Sequence, residues 1–272
     1  MFETFKVKSF ALMNTAVLSL FSTGKTSGLV AECGEGVTYT VPVFEGYALP
    51  HAMHRLNVSG QTITQKLIEE LQSCDAPVTQ AHFEYVRDMK EKMCHIAYDY
   101  QQELMQRDDP LDQEQRSYEL PGGEIIEVNH HKRIKAAEVI FDPSIVGEET
   151  PEFDHKGGNK GGIAKIAYES IEKCDADLKI LLYTNIVLAG GTTLMKGFTD
   201  RFESEIKGFA EMKAKTDISV SAALHRKYAA WMGGSMLSSF STFTDMTIKS
   251  TEYFDTTPET ERSTCVLKKT VY

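Results

Sequence analysis

The 272-residue sequence lacks the features that mark the more specialised classes of protein. It holds one tryptophan and eight prolines, and it has no run of about 18 apolar residues, the length that crosses a bilayer. Hydrophobic residues make up 42% of the chain and charged residues 25%, which is typical of folded domains. Long disorder, collagen, coiled coil and a membrane span are therefore excluded, and the length suits one large domain or two ordinary ones.

Positive charge is also scarce. The chain has 29 lysines and arginines against 39 aspartates and glutamates, so its formal charge is -10 and its pI is near 5.3. A protein that binds nucleic acid through the phosphates normally carries the opposite excess. The composition therefore predicts no direct contact with nucleic acid.

Cysteine is sparse and lacks the spacing of a zinc site or a disulfide framework. The five residues stand far apart, at Cys33, Cys74, Cys94, Cys174 and Cys265, which favours reduced thiols in the cytosol. Lys6 and Lys8 precede an apolar stretch over 10–21 that loosely resembles a signal peptide. Asn14 and Thr15 interrupt that stretch, so a soluble amphipathic helix is the better interpretation.

Apolar spacing predicts alternating helices and strands. The predicted helices cover 9–21, 62–73, 81–100, 163–174 and 228–243, and a further helix carries Phe198, Phe202 and Ile206 on one face. The predicted strands cover 27–32, 37–43, 124–128, 185–189 and 218–221. The residues from 147 to 162 are rich in charge and glycine, which is typical of an exposed loop. The alternation predicts an α/β or α+β architecture, and two lobes fit the length.

Two glycine turns each follow a predicted strand. They read ECGEGVT over 32–38 and LAGGTT over 188–193. Glycine allows backbone N–H groups to come close to an anion, since no side chain blocks the approach. Either turn could equally be a hairpin tip or a helix entry without a ligand, and the residues alone leave both interpretations open.

In sequence order, these turns and their flanks resemble actin and the actin-related proteins. The matching segments are FETF (2–5), AVLSLFSTG (16–24), VPVFEGYALPHAMH (41–54), VRDMKEK (86–92), YELP (118–121), LAGGTTLMKG (188–197) and RKYAAWMGGSMLSSFSTF (226–243). The resemblance covers nearly the whole chain except the loop near 151–162 and the tail after Thr251.

The resemblance implies a two-lobed α/β ATPase fold shared with sugar kinases and heat-shock ATPases, with ATP or ADP and Mg²⁺ or Ca²⁺ between the lobes. It assigns 1–26 and 226–272 to a remnant of the outer large subdomain, 27–60 and 142–225 to the inner large subdomain with an insertion at 148–162, and 61–141 to the inner small subdomain. The nucleotide-binding positions it implies are Gly34, Glu35, Gly36, Val37, Lys90, Glu91, Gly190, Gly191, Thr192, Met195 and Lys227.

Departures from the family pattern concern the catalytic positions. Thr15 stands where actins carry a glutamine that orients the attacking water, and Tyr39 stands where they carry a histidine. Glu32 replaces the aspartate that holds the metal through water, and Cys33 replaces a serine. The resemblance places Met1 about a third of the way into an actin, and it implies that the family's first phosphate loop has no counterpart among these 272 residues. These changes predict weak ATPase activity or none, since positioning is most of what a protein contributes to phosphoryl transfer.

A surface for partners is also implied by the resemblance. The residues that match the family's hydrophobic groove are Phe21, Gly24, Thr26, Met236, Leu237, Phe240 and Phe243, although one internal core would explain them equally well. In the segment that matches the hydrophobic plug, Glu148 replaces a methionine, and a buried carboxylate there would disfavour ordinary filament packing. The insertion at 148–162 is either a partner-binding element or a tolerated surface loop.

The first hypothesis is therefore a divergent actin or actin-related protein in the cytoplasm, with ciliary and nuclear assemblies as further settings. It would act as a cytoskeletal or complex-forming subunit, with other actin-like subunits or actin-binding proteins as partners and a weakened nucleotide site. The alternative is the carboxy-terminal part of a full-length, ATP-hydrolysing, filament-forming actin. A non-actin sugar kinase is disfavoured, because no sugar-binding signature replaces the actin-like blocks.

Two pairs of histidines are candidates for metal binding. The pairs His51 with His54 and His130 with His131 could each present two imidazoles together. Neither pair has an evident carboxylate or cysteine set around it in the sequence. No histidine metal site is therefore expected.

Overall fold

A computed structural model describes residues 1–74, 76–105, 117–146, 162–211 and 217–255. Its centre is a six-stranded sheet in the order β4-β3-β2-β8-β9, with β5 paired to β3. The strands of this sheet are β2 (Gly28–Cys33), β3 (Thr38–Phe44), β4 (Tyr47–Ala48), β5 (His54–Leu56), β8 (Ile186–Ala189) and β9 (Val220–Ser221). The sheet is mixed, because β2 and β3 form an antiparallel hairpin while β8 runs parallel to both β2 and β9.

Both faces of the central sheet are buried. Along β2, Leu29 and Ala31 belong to the larger apolar core, whereas Val30 belongs to a smaller one. Along β8, Leu188 belongs to the larger core and Val187 to the smaller one. Successive side chains of a strand point to opposite faces, so a sheet covered on both sides needs continuous apolar strands such as these.

Twelve α-helices occur among the described residues. They are α1 (Phe2–Phe5), α2 (Thr15–Phe21), α3 (Gly60–Gln72), α4 (Phe83–Met93), α5 (Tyr100–Met105), α6 (His130–Glu138), α7 (Gly162–Glu172), α8 (Ala176–Tyr183), α9 (Phe198–Glu211), α10 (Ala229–Ser238), α11 (Phe243–Met246) and α12 (Ser250–Asp255). Helices α2, α7 and α8 contact strands of the central sheet. Helices α3, α4, α6, α7 and α9 contribute to the larger core, and α2 and α10 to the smaller one. The predicted α/β character is confirmed.

Two short antiparallel ladders lie outside the central sheet. Strand β1 (Ser9–Phe10) pairs with β10 (Ile248–Lys249), so residues near both ends of the described chain meet. Phe2 stacks on Tyr253 beside this ladder, with 4.7 Å between the ring centroids. Strands β6 (Ser117–Glu119) and β7 (Ile125–Glu127) form the second ladder.

The smaller core depends on a close helix crossing. Helix α10 packs on α2 at Gly233, where an added Cβ would overlap the backbone carbonyl oxygen of Leu18. The neighbouring Gly234 has ordinary room, since the nearest atom to its added Cβ would be Leu18 Cδ1 at 3.7 Å. Glycine is therefore required at position 233 but not at position 234.

Three predicted helices are shorter than expected. The helix predicted over 81–100 ends at Met93, because Cys94 is extended and Ile96 donates a backbone hydrogen bond to Lys196 O at 2.8 Å. The helix predicted over 9–21 begins only at Thr15, since the Asn14 side chain caps it and β1 pairs instead. The helix predicted over 228–243 ends at Ser238. Helices α1, α5, α6, α8 and α12 were not predicted.

No helix within the described ranges is both long enough and apolar enough to cross a membrane. The insertion predicted at 148–162 and the Glu148 position lie outside the described residues, apart from Gly162 at the start of α7. Cys265 also lies outside them.

Candidate functional site

A cavity of about 1030 Å³ lies at the carboxyl ends of β2 and β8. The predicted nucleotide-binding positions that line it are Gly34, Glu35, Lys90, Glu91, Gly190, Gly191, Thr192, Met195 and Lys227, together with Glu32. Gly36 and Val37 lie in the same hairpin turn but not among its lining residues. The fold therefore brings together residues that are up to about 190 positions apart in the sequence.

The first glycine turn joins β2 to β3 and is held at its base. Gly34 N donates to Val37 O at 3.2 Å, and the Ser59 hydroxyl donates to Glu35 O at 2.6 Å. The outer side of the turn is open, because a Cβ added at Gly36 would meet no heavy atom within 4 Å. Nothing in the described protein therefore requires glycine at position 36.

The second glycine turn follows β8 and is packed tightly. Gly190 has φ +89°, and an added Cβ would overlap the carbonyl of Cys33 on the neighbouring strand. Arg226, which is buried, donates from Nε to Thr193 Oγ1 at 2.9 Å and from a terminal nitrogen to Thr193 O at 2.8 Å. The positive φ and the guanidinium together fix the backbone of this turn.

A hydrogen bond connects the two turns. The Thr192 hydroxyl donates to Gly34 O at 2.8 Å, so the turn after β8 is tied directly to the hairpin turn between β2 and β3. Sequence reasoning placed both turns at one ligand but did not find this connection. It also missed Arg226, because an arginine that precedes a helix resembles an ordinary surface residue.

Four lysines among the described residues line the cavity, and two of them, Lys90 and Lys227, lie next to the glycine turns. Lys90 is 3% exposed, and its Nζ donates to Gly60 O at 2.9 Å and lies 3.3 Å from Glu35 Oε2. Lys227 is exposed, and its aliphatic stem would lie 3.5 Å from a Cβ added at Gly191. Positive charge is therefore available at the edge of both turns in a chain with a net negative charge.

The three positions expected to be degenerate lie close together, and one of them, Glu32, lines this cavity. Thr15 and Tyr39 line a neighbouring cavity of about 510 Å³ with Val37, and their hydroxyl groups hydrogen-bond to each other. Burial, with a further contribution from the negative charge of Glu32, raises the pKa of Tyr39 well above its ordinary value. Tyr39 therefore stays protonated at neutral pH.

Glu32 lines the larger cavity and interacts with Tyr39, which lines the smaller one. Burial raises the pKa of Glu32 above the ordinary value, and a hydrogen bond with Tyr39 partly opposes that rise. Its Oε2 atom is buried and has no hydrogen-bond partner among the described residues. A carboxylate oxygen without a partner suits a hydrated divalent cation, since Mg²⁺ and Ca²⁺ prefer oxygen ligands and Mg²⁺ retains water. The residues present therefore fit the expected cation.

Cys33 does not take part in this chemistry. Its side chain is fully buried, and Thr38 Oγ1 donates to Cys33 Sγ at 3.0 Å. Burial raises the pKa of Cys33 to about 11, so the thiol stays neutral and unreactive at neutral pH.

The residues expected to form a partner groove divide between core and surface. Leu237 is buried, Phe21 packs against the smaller core, and Phe243 is half-buried. Met236 and Phe240 are 43% and 59% exposed, and Gly24 and Thr26 are exposed. Trp231 and Tyr228, which were not in the expected set, are 75% and 60% exposed next to them.

The fold and the cavity define an α/β protein with a mixed, doubly covered sheet and two glycine turns at one end of it. A family model described as Actin matches residues 1–84 and 76–266. The chain belongs to the actin family. The resemblance seen in the sequence is confirmed by this match.

Proposed function

We propose that the cavity binds ATP or ADP with a divalent cation, and that the protein is a structural, actin-type subunit that hydrolyses ATP slowly or not at all. The observation that carries the proposal is the pair of glycine turns at one cavity, connected by the Thr192 to Gly34 hydrogen bond and bordered by Lys90 and Lys227. Closely spaced backbone amides and lysines suit the anionic phosphates of a nucleotide.

The open hairpin turn supports a ligand on its outer side. Gly36 needs no positive φ and has free space around it, so the folded chain alone does not explain its glycine. A phosphate that comes close to the backbone would explain it. In this arrangement Gly34 and Glu35, which line the cavity, would contact the phosphates together with Gly36 and Val37 on the outer side of the same turn. Gly190, Gly191, Thr192 and Met195 would contact the adenosine.

The remaining predicted residues are assigned by their positions around the cavity. Lys90 and Glu91 lie on α4 and border the base and ribose, with Lys227 on the opposite turn. In this proposal residues 61–141 would lie on one side of the nucleotide and residues 142–225 on the other. Glu32 would hold the cation through water, and the bound cation would neutralise the charge of the phosphates.

Slow hydrolysis is supported by the contacts of Thr15 and Tyr39. Each hydroxyl is engaged by the other, and the Thr15 side chain is too short to replace a glutamine that reaches an attacking water. Tyr39 stays protonated and cannot accept a proton at neutral pH. The site therefore offers binding groups but a poor arrangement for activating water.

A subunit role is supported by the exposed side of α10. Trp231, Met236 and Phe240 are apolar and exposed on one helix and its C-terminal turn, beside Tyr228. Exposed apolar patches commonly mark protein interaction sites. We propose that other actin-like subunits or actin-binding proteins contact this surface in a cytoskeletal assembly.

Nucleotide binding is tested by calorimetric titration of the full chain with ATP and Mg²⁺. The variant Gly36→Ala should weaken binding by about tenfold, because the methyl group occupies the space that a phosphate would take. Gly122→Ala is the matched control, since Gly122 also has no heavy atom within 4 Å of an added Cβ but lies in the turn between β6 and β7. Equal affinity in both variants would contradict the proposal.

Hydrolysis separates the two functional hypotheses. Single-turnover phosphate release from bound ATP should be slower than for a conventional actin measured alongside. The double variant Thr15→Gln with Tyr39→His should accelerate release if these two positions limit the rate. A wild-type rate equal to that of the conventional actin would instead favour the alternative, a competent ATP-hydrolysing actin of which this chain is a part.

A further inference from the structure

Two histidines and one glutamate from three separate segments converge at one edge of the cavity. His95 follows α4, Glu103 lies on α5, and His130 is the first residue of α6. Their side chains are 18% to 23% exposed. The His95 and His130 rings have centroids 5.2 Å apart and line the cavity.

The distances between these side chains match a metal-binding set. Glu103 Oε2 lies 3.5 Å from His95 Nε2 and 3.6 Å from His130 Nε2, and the three potential ligand atoms lie within 4.8 Å of one another. Tetrahedral Zn²⁺ with bonds of about 2.1 Å separates its ligand atoms by about 3.4 Å. Only a small movement of the two imidazoles would therefore place all three atoms around one ion.

The surrounding contacts orient the ligands toward a common point. Tyr98 N donates to Glu103 Oε1 at 3.1 Å, which leaves Oε2 directed to the histidines. His95 is held by backbone pairing with Lys196. His130 Nε2 is buried and has no hydrogen-bond partner among the described residues. A buried ring nitrogen without a partner is costly unless an ion or another ligand satisfies it.

We propose that His95, Glu103 and His130 form a Zn²⁺ site with a fourth position open to the cavity. Two imidazoles and one carboxylate are a known ligand set for zinc with an open position. The positive charge of Arg133 acts on this site and opposes a cation, while the Glu103 carboxylate offsets that charge. The expectation that His130 has no carboxylate nearby is wrong, because its partners come from α5 and the segment after α4. The site does not depend on nucleotide.

The test is a competition titration of the reduced full chain with Zn²⁺ and a chromophoric chelator. One saturable Zn²⁺ per chain is expected, and His95→Ala, Glu103→Gln and His130→Ala should each weaken it by at least about tenfold, since even residues behind a ligand affect affinity by 10–100-fold. His51→Ala and Cys74→Ser are controls, because His51 and Cys74 are exposed and lie outside the cluster. Both controls should bind as the wild type does.

Glu103→Gln keeps the test valid if a histidine variant fails to fold, since it removes charge with little change of shape. Zinc-edge X-ray absorption of the wild type should show nitrogen and oxygen ligands and no sulfur. The proposal is overturned by the absence of saturable binding at 100-fold excess of Zn²⁺ over protein, by unchanged affinity in Glu103→Gln, or by sulfur ligation that Cys74→Ser removes.

Discussion

The two glycine turns look alike in sequence but differ in what requires their glycines. At Gly190 the positive φ and the adjacent Cys33 carbonyl exclude any side chain. At Gly36 the backbone is ordinary and the space beyond it is empty. One turn is therefore explained by packing between two strands, and the other is explained only if something outside the chain approaches it.

This difference shows how a glycine motif can be divided into structural and ligand-facing positions. Replacing a structural glycine should lower the free energy of unfolding, with or without ligand. Replacing a ligand-facing glycine should weaken ligand binding and leave the free energy of unfolding unchanged. The comparison extends to glycines elsewhere in the chain, which provide matched controls.

The largest effect is expected for Gly190→Ala. Positive φ and overlap with the Cys33 carbonyl should lower the free energy of unfolding by about 3 kcal/mol or more, because strain and overpacking add. Gly191→Ala is the neighbouring control, since its added Cβ would lie 3.5 Å from Lys227 Cγ, an ordinary contact. Urea unfolding curves for the two variants measure the difference, and equal midpoints would contradict the packing explanation.

The next largest effect is expected for Gly233→Ala at the crossing of α2 and α10. A methyl group there would force the helices apart and should destabilise the fold by about 1–3 kcal/mol. Gly234→Ala should instead be neutral or slightly stabilising, because alanine favours the helix and has room. Thermal unfolding of both variants tests this, and a stable Gly233→Ala would mean that the crossing is not close.

A smaller effect of opposite sign is expected for Gly208→Ala. Gly208 lies in the exposed face of α9, and its added Cβ would meet nothing within 4 Å. Alanine should therefore raise the free energy of unfolding by about 0.5–1 kcal/mol through helix propensity. A melting temperature below that of the wild type would show that this glycine has a packing role.

The smallest effect on folding is expected for Gly36→Ala. Without nucleotide, its free energy of unfolding in urea should match that of the wild type and of Gly122→Ala within about 0.5 kcal/mol, because a surface change away from packing rarely costs more. A marked loss of stability in the absence of nucleotide would place Gly36 with Gly190 as a structural glycine and remove the main support for a ligand at this turn.

Much of the sheet could be predicted from sequence because its strands are short, apolar and bounded by turns. The hairpin of β2 and β3 was predicted within one or two residues at its ends, and β8 with its glycine turn was too. Along β3, the polar residues Thr38 and Thr40 are buried as completely as Val41 and Val43 are. Covered sheets conceal the alternation on which the prediction relied.

The errors arose where distant residues override local periodicity. Apolar spacing continues past Met93, but the pairing of His95 and Ile96 with Lys196 ends the helix there. The same interruption places His95 next to His130. The potential metal-binding cluster of His95, Glu103 and His130 therefore could not be found from the spacing of residues along one segment. Each glycine turn could be found because its residues are consecutive in the sequence, over 32–38 and 188–193.

The smaller core joins Ala16, Val17 and Leu20 to Ala229 across about 210 residues of chain. A ribosome that adds 5–20 residues per second needs roughly 10 to 40 s to reach the second of these segments after the first. During that interval α2 has no α10 to cover it, and β1 has no β10 to pair with. The side of α2 that α10 covers is therefore exposed for longer during synthesis than the larger core's helices α3 and α4, which contact each other after a short delay.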